Sequence, residues 1–145
     1  MIKPQYILSK LRTIEFSTRA IQNSINEENL SYQLNIGFGF SKEEKTIVVS
    51  SGYMMFSTKE NQKPEDCFLS IKNESHFFVF NFDDFVLDKT ELEVEERIDL
   101  NLARTLLAIS FSTLRGSLHS KTEGSYYNKF FIPILDIAEI FPGKK

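Results

Sequence analysis

Tryptophan is absent from this chain of 145 residues, cysteine occurs once and histidine twice. A lone Cys67 closes no disulfide within the chain, so the fold must rest on its core and its hydrogen bonds. Beside Phe68 and Leu69 it reads as a small buried hydrophobe rather than a nucleophile. With His76 and His119 the only histidines, the chain has no HExxH, CxxC or GxSxG element and no glycine-rich phosphate loop. Metal-assisted hydrolysis, acyl transfer and nucleotide chemistry therefore have no anchor. His119 suits compensation of a helix dipole near the end of an expected helix, and His76 reads as a strand residue without a catalytic role. Asp83, Asp84 and Asp88 lack the ligand spacing and central glycine of a calcium loop and read as a solvated turn. The expectation is a protein with no catalytic residue, no metal ligand and no cofactor.

A basic excess is also missing. Seventeen Lys and Arg stand against 20 Asp and Glu, a net charge of −3, which gives nucleic acid or anionic lipid nothing to bind. No run approaches the roughly 18–20 apolar residues of a membrane span. The start MIKPQYILSKLR lacks the apolar run and small-residue cleavage site of a signal peptide. A cytoplasmic protein is expected, with no direct membrane insertion. Only six glycines and four prolines, in a chain 41% hydrophobic and 26% charged, argue against disorder. The length suits a single domain over residues 1–145.

What the chain has in abundance is phenylalanine, with 14 copies. Residues 13–21, TIEFSTRAI, alternate Ile14, Phe16 and Thr18 against Glu15, Ser17 and Arg19, predicting a half-buried first strand. In LSYQLNIGFGFS, residues 30–41, Tyr32, Leu34, Ile36, Phe38 and Phe40 share one face. The glycines of IGFGF sit inside that alternation and mark a close approach rather than a phosphate loop. KEEK, residues 42–45, has hairpin-turn length and leads into a third strand, TIVVSSGYMMFST. This strand is apolar on both faces, with Ile47, Val49, Tyr53 and Met55 opposite Val48, Met54 and Phe56. A fourth, CFLSIKNESHFFVFNF from Cys67, has a polar middle at Asn73 to His76 suited to a bulge or bend. From about Arg97 the period changes to 3.6: Leu107, Phe111, Leu114 and Leu118 form one stripe, with Leu102, Leu106 and Ile109 beside it. Acidic residues gather before this helix, and Arg115, His119 and Lys121 near its end. Gly124 stops it, FFIP is extended, and a short final helix starts near Asp136. The order predicts an α+β fold: a four-stranded antiparallel sheet, a long helix packed on it and a short C-terminal helix.

One stretch resists that economy. In FFVFNFDDF, residues 77–85, Phe78, Phe80 and Phe82 face away from Phe77 and Val79 if the strand runs straight through. Three such rings would expose ~450 Å², as much as the largest apolar patch of an ordinary monomer. Covering them contributes up to ~11 kcal/mol. The long helix covers one face, so a second subunit or a bound polypeptide is expected on the other. The aromatic and Met-containing surfaces therefore divide between core or oligomer burial and a groove for apolar peptide segments.

The four strands, an acidic linker and LARTLLAISFSTLRGSLHSKTEGSYYNKFFIPILDI together resemble the SecB-like family of protein-export chaperones over about Thr13 to Phe141. FSTLR matches Phe111 and Arg115 of that family's F-P-Y-x-R stretch, with Ser112 and Thr113 at its Pro and Tyr, and FFIPILDI resembles the segment around its later Pro. The resemblance implies an ATP-independent holdase, assembled as a homodimer or homotetramer, that binds unfolded or partly folded client polypeptides such as an export precursor or an antitoxin. It assigns Leu107, Phe111, Leu114 and Leu118 to the helix layer and subunit contacts, with Ser110, Ser112, Gly116 and Ser117 small enough for close helix approach. A client groove is assigned to Tyr126, Tyr127, Phe130 and Phe131 after the helix and Met54, Phe56, Phe78 and Phe80 from the sheet. Two departures weigh against a dedicated export role: the final helix is short, and Lys144 and Lys145 stand where family members carry an acidic tail for export machinery. A fixed oligomeric scaffold is the alternative reading, and a small-ligand carrier with a closed apolar pocket a third.

Overall fold

The computed structural model describes residues 2–20, 27–60 and 62–143. Four strands, β1 (Tyr6–Thr18), β2 (Ser31–Ser41), β3 (Thr46–Phe56) and β4 (Cys67–Val79), are followed by α1 (Val94–Arg97), α2 (Leu100–Thr122) and α3 (Ile137–Ile140). The sheet is antiparallel throughout in the order β1-β4-β3-β2, so β1 and β2 form its opposite edges. The expected α+β fold class is the one observed.

The β2–β3 hairpin turns at residues 42–45, where Lys45 takes a positive φ of 51°, a conformation open to few side chains. Register then places Phe40, Phe38, Ile36, Leu34 and Tyr32 beside Ile47, Val49, Ser51, Tyr53 and Met55, and these beside Phe77, Ser75, Asn73, Ile71 and Leu69 of β4. This is the face that α2 covers, packing on β3 and β4. Asp99 caps α2, accepting from the Leu102 N–H at 3.0 Å, and Gly124 follows its end at φ +78°. Leu102, Leu106, Leu107, Phe111, Leu114 and Leu118 enter the core with Ile47, Val49, Leu69 and Ile71. Burial raises the Tyr53 hydroxyl to about 12, with Tyr32 adding to it, so this core residue stays neutral.

Several expectations change. β1 begins at Tyr6 rather than Thr13, and Ile21 lies outside the described residues. Its predicted half-burial is not found: Ile14 and Phe16 are exposed. The cause is position, since α2 lies over β3 and β4 and leaves the edge open. The irregularities beside the polar middle of β4 fall on β1, where Ser9 and Ile14 bulge, and β4 itself bulges at Phe68. β4 also ends at Val79, and the turn Phe82–Asp84 swings Phe82 into the core against Phe40. Phe82 therefore does not share an open face with Phe78 and Phe80. Gly37 and Gly39 mark no close approach. That role belongs to Gly52, where a Cβ would come within 3.1 Å of the Asn35 Cβ.

Candidate functional site

The last turns of α2 and the segment after it build an aromatic cluster. Ser125 caps a short helical turn over Tyr126–Lys129, bringing Tyr126, Tyr127, Phe130 and Phe68 into mutual edge and stacking contacts. His119, on the last turn of α2, stacks on Phe131. The Lys129 ammonium lies 4.2 Å over the Tyr126 ring. Within the cluster Phe130 is buried and Tyr127 partly so, whereas Tyr126 and Phe131 stay 54% and 59% exposed. The Tyr127 hydroxyl donates to the Arg19 carbonyl, tying the cluster to the chain just past β1.

Beyond that tie runs the uncovered helix-side strip of β1. Leu8, Leu11 and Phe16 pair with Phe77, Ser75 and Ile71 on the face that α2 covers elsewhere. They remain 42%, 42% and 37% exposed. The Lys121 ammonium, 5.8 Å over the Phe16 ring, links this strip to the end of α2. Strip and cluster are thus tied through Tyr127 and Lys121, and each exposes apolar side chains.

The other face of the sheet is mostly polar. Lys10, Arg12 and Glu15 of β1 stand beside His76, Glu74 and Lys72 of β4. Glu74 accepts from Arg12 at 3.3 Å and lies 2.7 Å from His76 Nε2. Its carboxyl is held below the usual glutamate range, chiefly by the His76 hydrogen bond, against desolvation and with help from the Arg12 charge. Apolar side chains return at one end, where Phe78 and Phe80 meet edge to face at 4.9 Å next to Ile7, the partner of Phe78.

The predicted groove residues are therefore not one site. Tyr126, Tyr127, Phe130 and Phe131 come together; Phe78 and Phe80 lie on the opposite face; Met54 is half-buried and Phe56 buried at the far end of β3. The helix residues assigned to subunit contacts, Leu107, Phe111, Leu114 and Leu118, are only 0–1% exposed. They face the protomer's own sheet, which leaves them nothing to offer a neighbour in this conformation. Of the small residues, Ser112 and Gly116 are exposed on the outer side of α2, whereas Ser110 is buried with its hydroxyl on the Leu106 carbonyl.

Arg115 of FSTLR ties the chain after α2 back to the helix, with Nε and Nη2 donating to the Ile132 and Pro133 carbonyls, both at 2.9 Å. Arg104 repeats the device three turns earlier, donating to the Phe141 and Pro142 carbonyls at 3.0 and 2.8 Å. Together they clamp residues 132–142 along α2, and Phe141 reaches Phe38 on β2. Arg104 was not singled out by the sequence, although its spacing of eleven from Arg115 places both on one helix side. Between sheet and helix lies a polar seam: Thr13 donates to Asn73 Oδ1 at 2.8 Å, and Asn73 Nδ2 to Ser117 Oγ at 3.1 Å. The fully buried hydroxyls of Ser51 and Ser75 have no hydrogen-bond partner among the described residues. Among the described residues no group of three or more His, Cys, Asp or Glu is placed to hold a metal ion, and no helix is long and apolar enough to cross a membrane.

No protein-family model matches the chain, nor does any curated protein by sequence. Its fold is shared with a solved structure, the Mycobacterium tuberculosis Rv1957 SecB-like chaperone in complex with a ChAD peptide from the Rv1956 HigA1 antitoxin. The two superpose with a TM-score of 0.55 at 10% identity, over 90% of each chain. The sheet, long helix and short C-terminal helix make this a SecB-like fold.

Proposed function

We propose that the protein is an ATP-independent holdase that shields apolar segments of unfolded client polypeptides. The observation that carries this reading is the exposure of Leu8, Leu11 and Phe16 on β1 together with that of the Tyr126 and Phe131 rings after α2. Large aromatic rings at the surface bind varied apolar segments with little loss of side-chain entropy. Support also comes from the SecB-like neighbour, whose solved complex holds an antitoxin peptide. An antitoxin is accordingly the client we favour over an export precursor. Met54, Phe56 and Phe130 serve the core in this reading, and Phe78 with Phe80 forms a second, smaller apolar surface.

Assembly as a homodimer or homotetramer belongs to the same proposal. β1 is a 13-residue edge strand without proline, and an edge of that length can template another strand beside the segments that its bulges at Ser9 and Ile14 leave regular. The fixed-scaffold reading draws on that edge alone and predicts that assembly consumes every apolar surface. The two readings part in one experiment: a chemically denatured protein is diluted into buffer with equimolar chaperone and no nucleotide, and light scattering is followed. Suppressed scattering that is lost in the Tyr126→Ser/Phe131→Ser variant supports the holdase. A monodisperse oligomer that leaves scattering unchanged would favour the scaffold.

A further inference from the structure

Opposite the aromatic cluster, at the start of α2, the chain builds a second concavity. Val86 bridges Ile98, with the Leu87 N–H on the Arg97 carbonyl and the Asp99 N–H on the Phe85 carbonyl, both at 2.7 Å. The loop so closed, the first residue of α2 and the segment 141–143 line a cavity of about 620 Å³. Its apolar wall comes from Phe85, Leu87, Leu92, Leu100 and Phe141. Leu87 and Leu100 are 48% and 37% exposed, so this wall is incompletely filled by the chain itself. Gly143, at φ +79°, is tight against Leu100, where a Cβ would come within 2.9 Å.

The loop that lines the cavity is acidic, while Lys42 pairs with Asp88 at 3.2 Å and Arg104 holds the Phe141 and Pro142 carbonyls beside it. Residues 83–99 hold eight carboxylates against Lys89 and Arg97, a net −6 in a chain whose total is −3, so the remaining residues together carry +3. Asp84 and Glu95 line the opening and are exposed. Among the described residues the lining holds one cation, Arg97, whose Nε donates to the Leu87 carbonyl at 3.0 Å, and whose guanidinium lies 4.6 Å over the Phe40 ring and 3.8 Å from Asp88. An anionic ligand would meet repulsion here despite the helix start. An apolar group carrying positive charge beside it matches both wall and rim.

We propose that this cavity docks a short segment of a partner protein, one large apolar side chain flanked by lysines or arginines. Its volume lies in the range of about 300–1,000 Å³ that holds a compact group, which suits a single anchor rather than a long extended client. The site is separate from the aromatic cluster, and the inference does not depend on the holdase reading.

Fluorescence anisotropy on the full chain tests it, with a labelled synthetic peptide bearing one tryptophan between two pairs of lysines. Two controls replace the lysines by glutamates or the tryptophan by alanine. Saturable binding is expected for the first peptide, weakened about tenfold or more in either control and by salt. Asp84→Lys/Glu95→Lys, two exposed positions whose reversal leaves the core intact, is expected to lower affinity about tenfold while thermal unfolding and aggregation suppression stay as in the parent. Tyr126→Ser/Phe131→Ser is expected to do the converse, sparing peptide binding. The proposal is overturned by absent binding, by equal binding of the glutamate peptide, or by an affinity that follows Tyr126 and Phe131 instead of Asp84 and Glu95. Binding in a chain that suppresses no aggregation would retain this proposal and remove the holdase.

Discussion

The two edges of the sheet are built from similar material and treated differently. At the β2 edge, Phe38 and Phe40 are covered by Phe141 and Phe82, delivered by the clamped C-terminal segment and by the turn after β4. At the β1 edge, Leu8, Leu11 and Phe16 have the same orientation toward the helix layer and, among the described residues, no such cover. Arg104 and Arg115 commit the segment 132–142 to the β2 side of the helix. Apolar surface that a self-contained fold would bury is thereby left over on one defined edge.

The contrast breaks most severely at the centre of the covered side. Phe111→Ala removes a ring that is fully buried against the sheet and is expected to cost about 3–5 kcal/mol. Phe80→Ala, on the open face, should stay within about 0.5 kcal/mol of the parent. Urea denaturation of the two variants measures both. A comparable loss for both would mean that Phe80 is buried in the assembled protein.

Next in size is the clamp. Arg104→Ala/Arg115→Ala deletes four charge-assisted bonds to carbonyls, each worth about 1.5–3 kcal/mol at most and less where exposed. The expected result is faster amide exchange over residues 132–142 ahead of global unfolding, with exchange in β3 and β4 unchanged. Release of this segment would also uncover β2 and make the two edges alike.

The edges themselves are compared by charge. A lysine on an edge strand opposes pairing with another strand. Leu11→Lys is expected to lower the oligomer mass measured by multi-angle scattering, whereas Gln33→Lys on β2 leaves it unchanged. Dissociation by both substitutions, or by neither, removes β1 as the assembly edge.

Much of this organisation was legible in the sequence. The period-two run located β2, the KEEK turn and the apolar run after it located β3, the change to 3.6 located α2, and Gly124 and Asp136 marked the ends around the aromatic cluster. What pattern cannot reveal is which element lies over which strand. Ile14 and Phe16 alternate like a half-buried strand, but order in the sheet puts them at an uncovered edge. Phe82 fits the alternation of FFVFNF, yet a turn at Asn81 sends it into the core. Leu107, Phe111, Leu114 and Leu118 form an apolar stripe that reads equally as core or as interface, and only the packing on β3 and β4 decides for the core. The carbonyl clamp depends on backbone brought back from residues 132–142, so Arg104 carried no local signal beyond its spacing from Arg115.

The smallest effects come from two neighbours on opposite faces of β4. Ser75 points under α2 with a buried hydroxyl that has no partner among the described residues, and such a group costs desolvation without return. Ser75→Ala is expected to stabilise by up to about 1 kcal/mol, equally at all pH values. Glu74, one residue back, faces the polar side and has a depressed pKa through His76 and Arg12. Because its folded-state pKa lies below the unfolded value, its contribution is complete above the usual glutamate range and is lost as pH falls through the lower folded value. Glu74→Gln should therefore unfold at slightly lower denaturant than the parent near neutrality, with the gap closing below about pH 4. Urea midpoints of both variants at pH 7 and at pH 3.5 separate the cases. A gap that grew on acidification for Glu74→Gln, or a pH-dependent one for Ser75→Ala, would contradict the assignment of these residues to the polar face and the covered face.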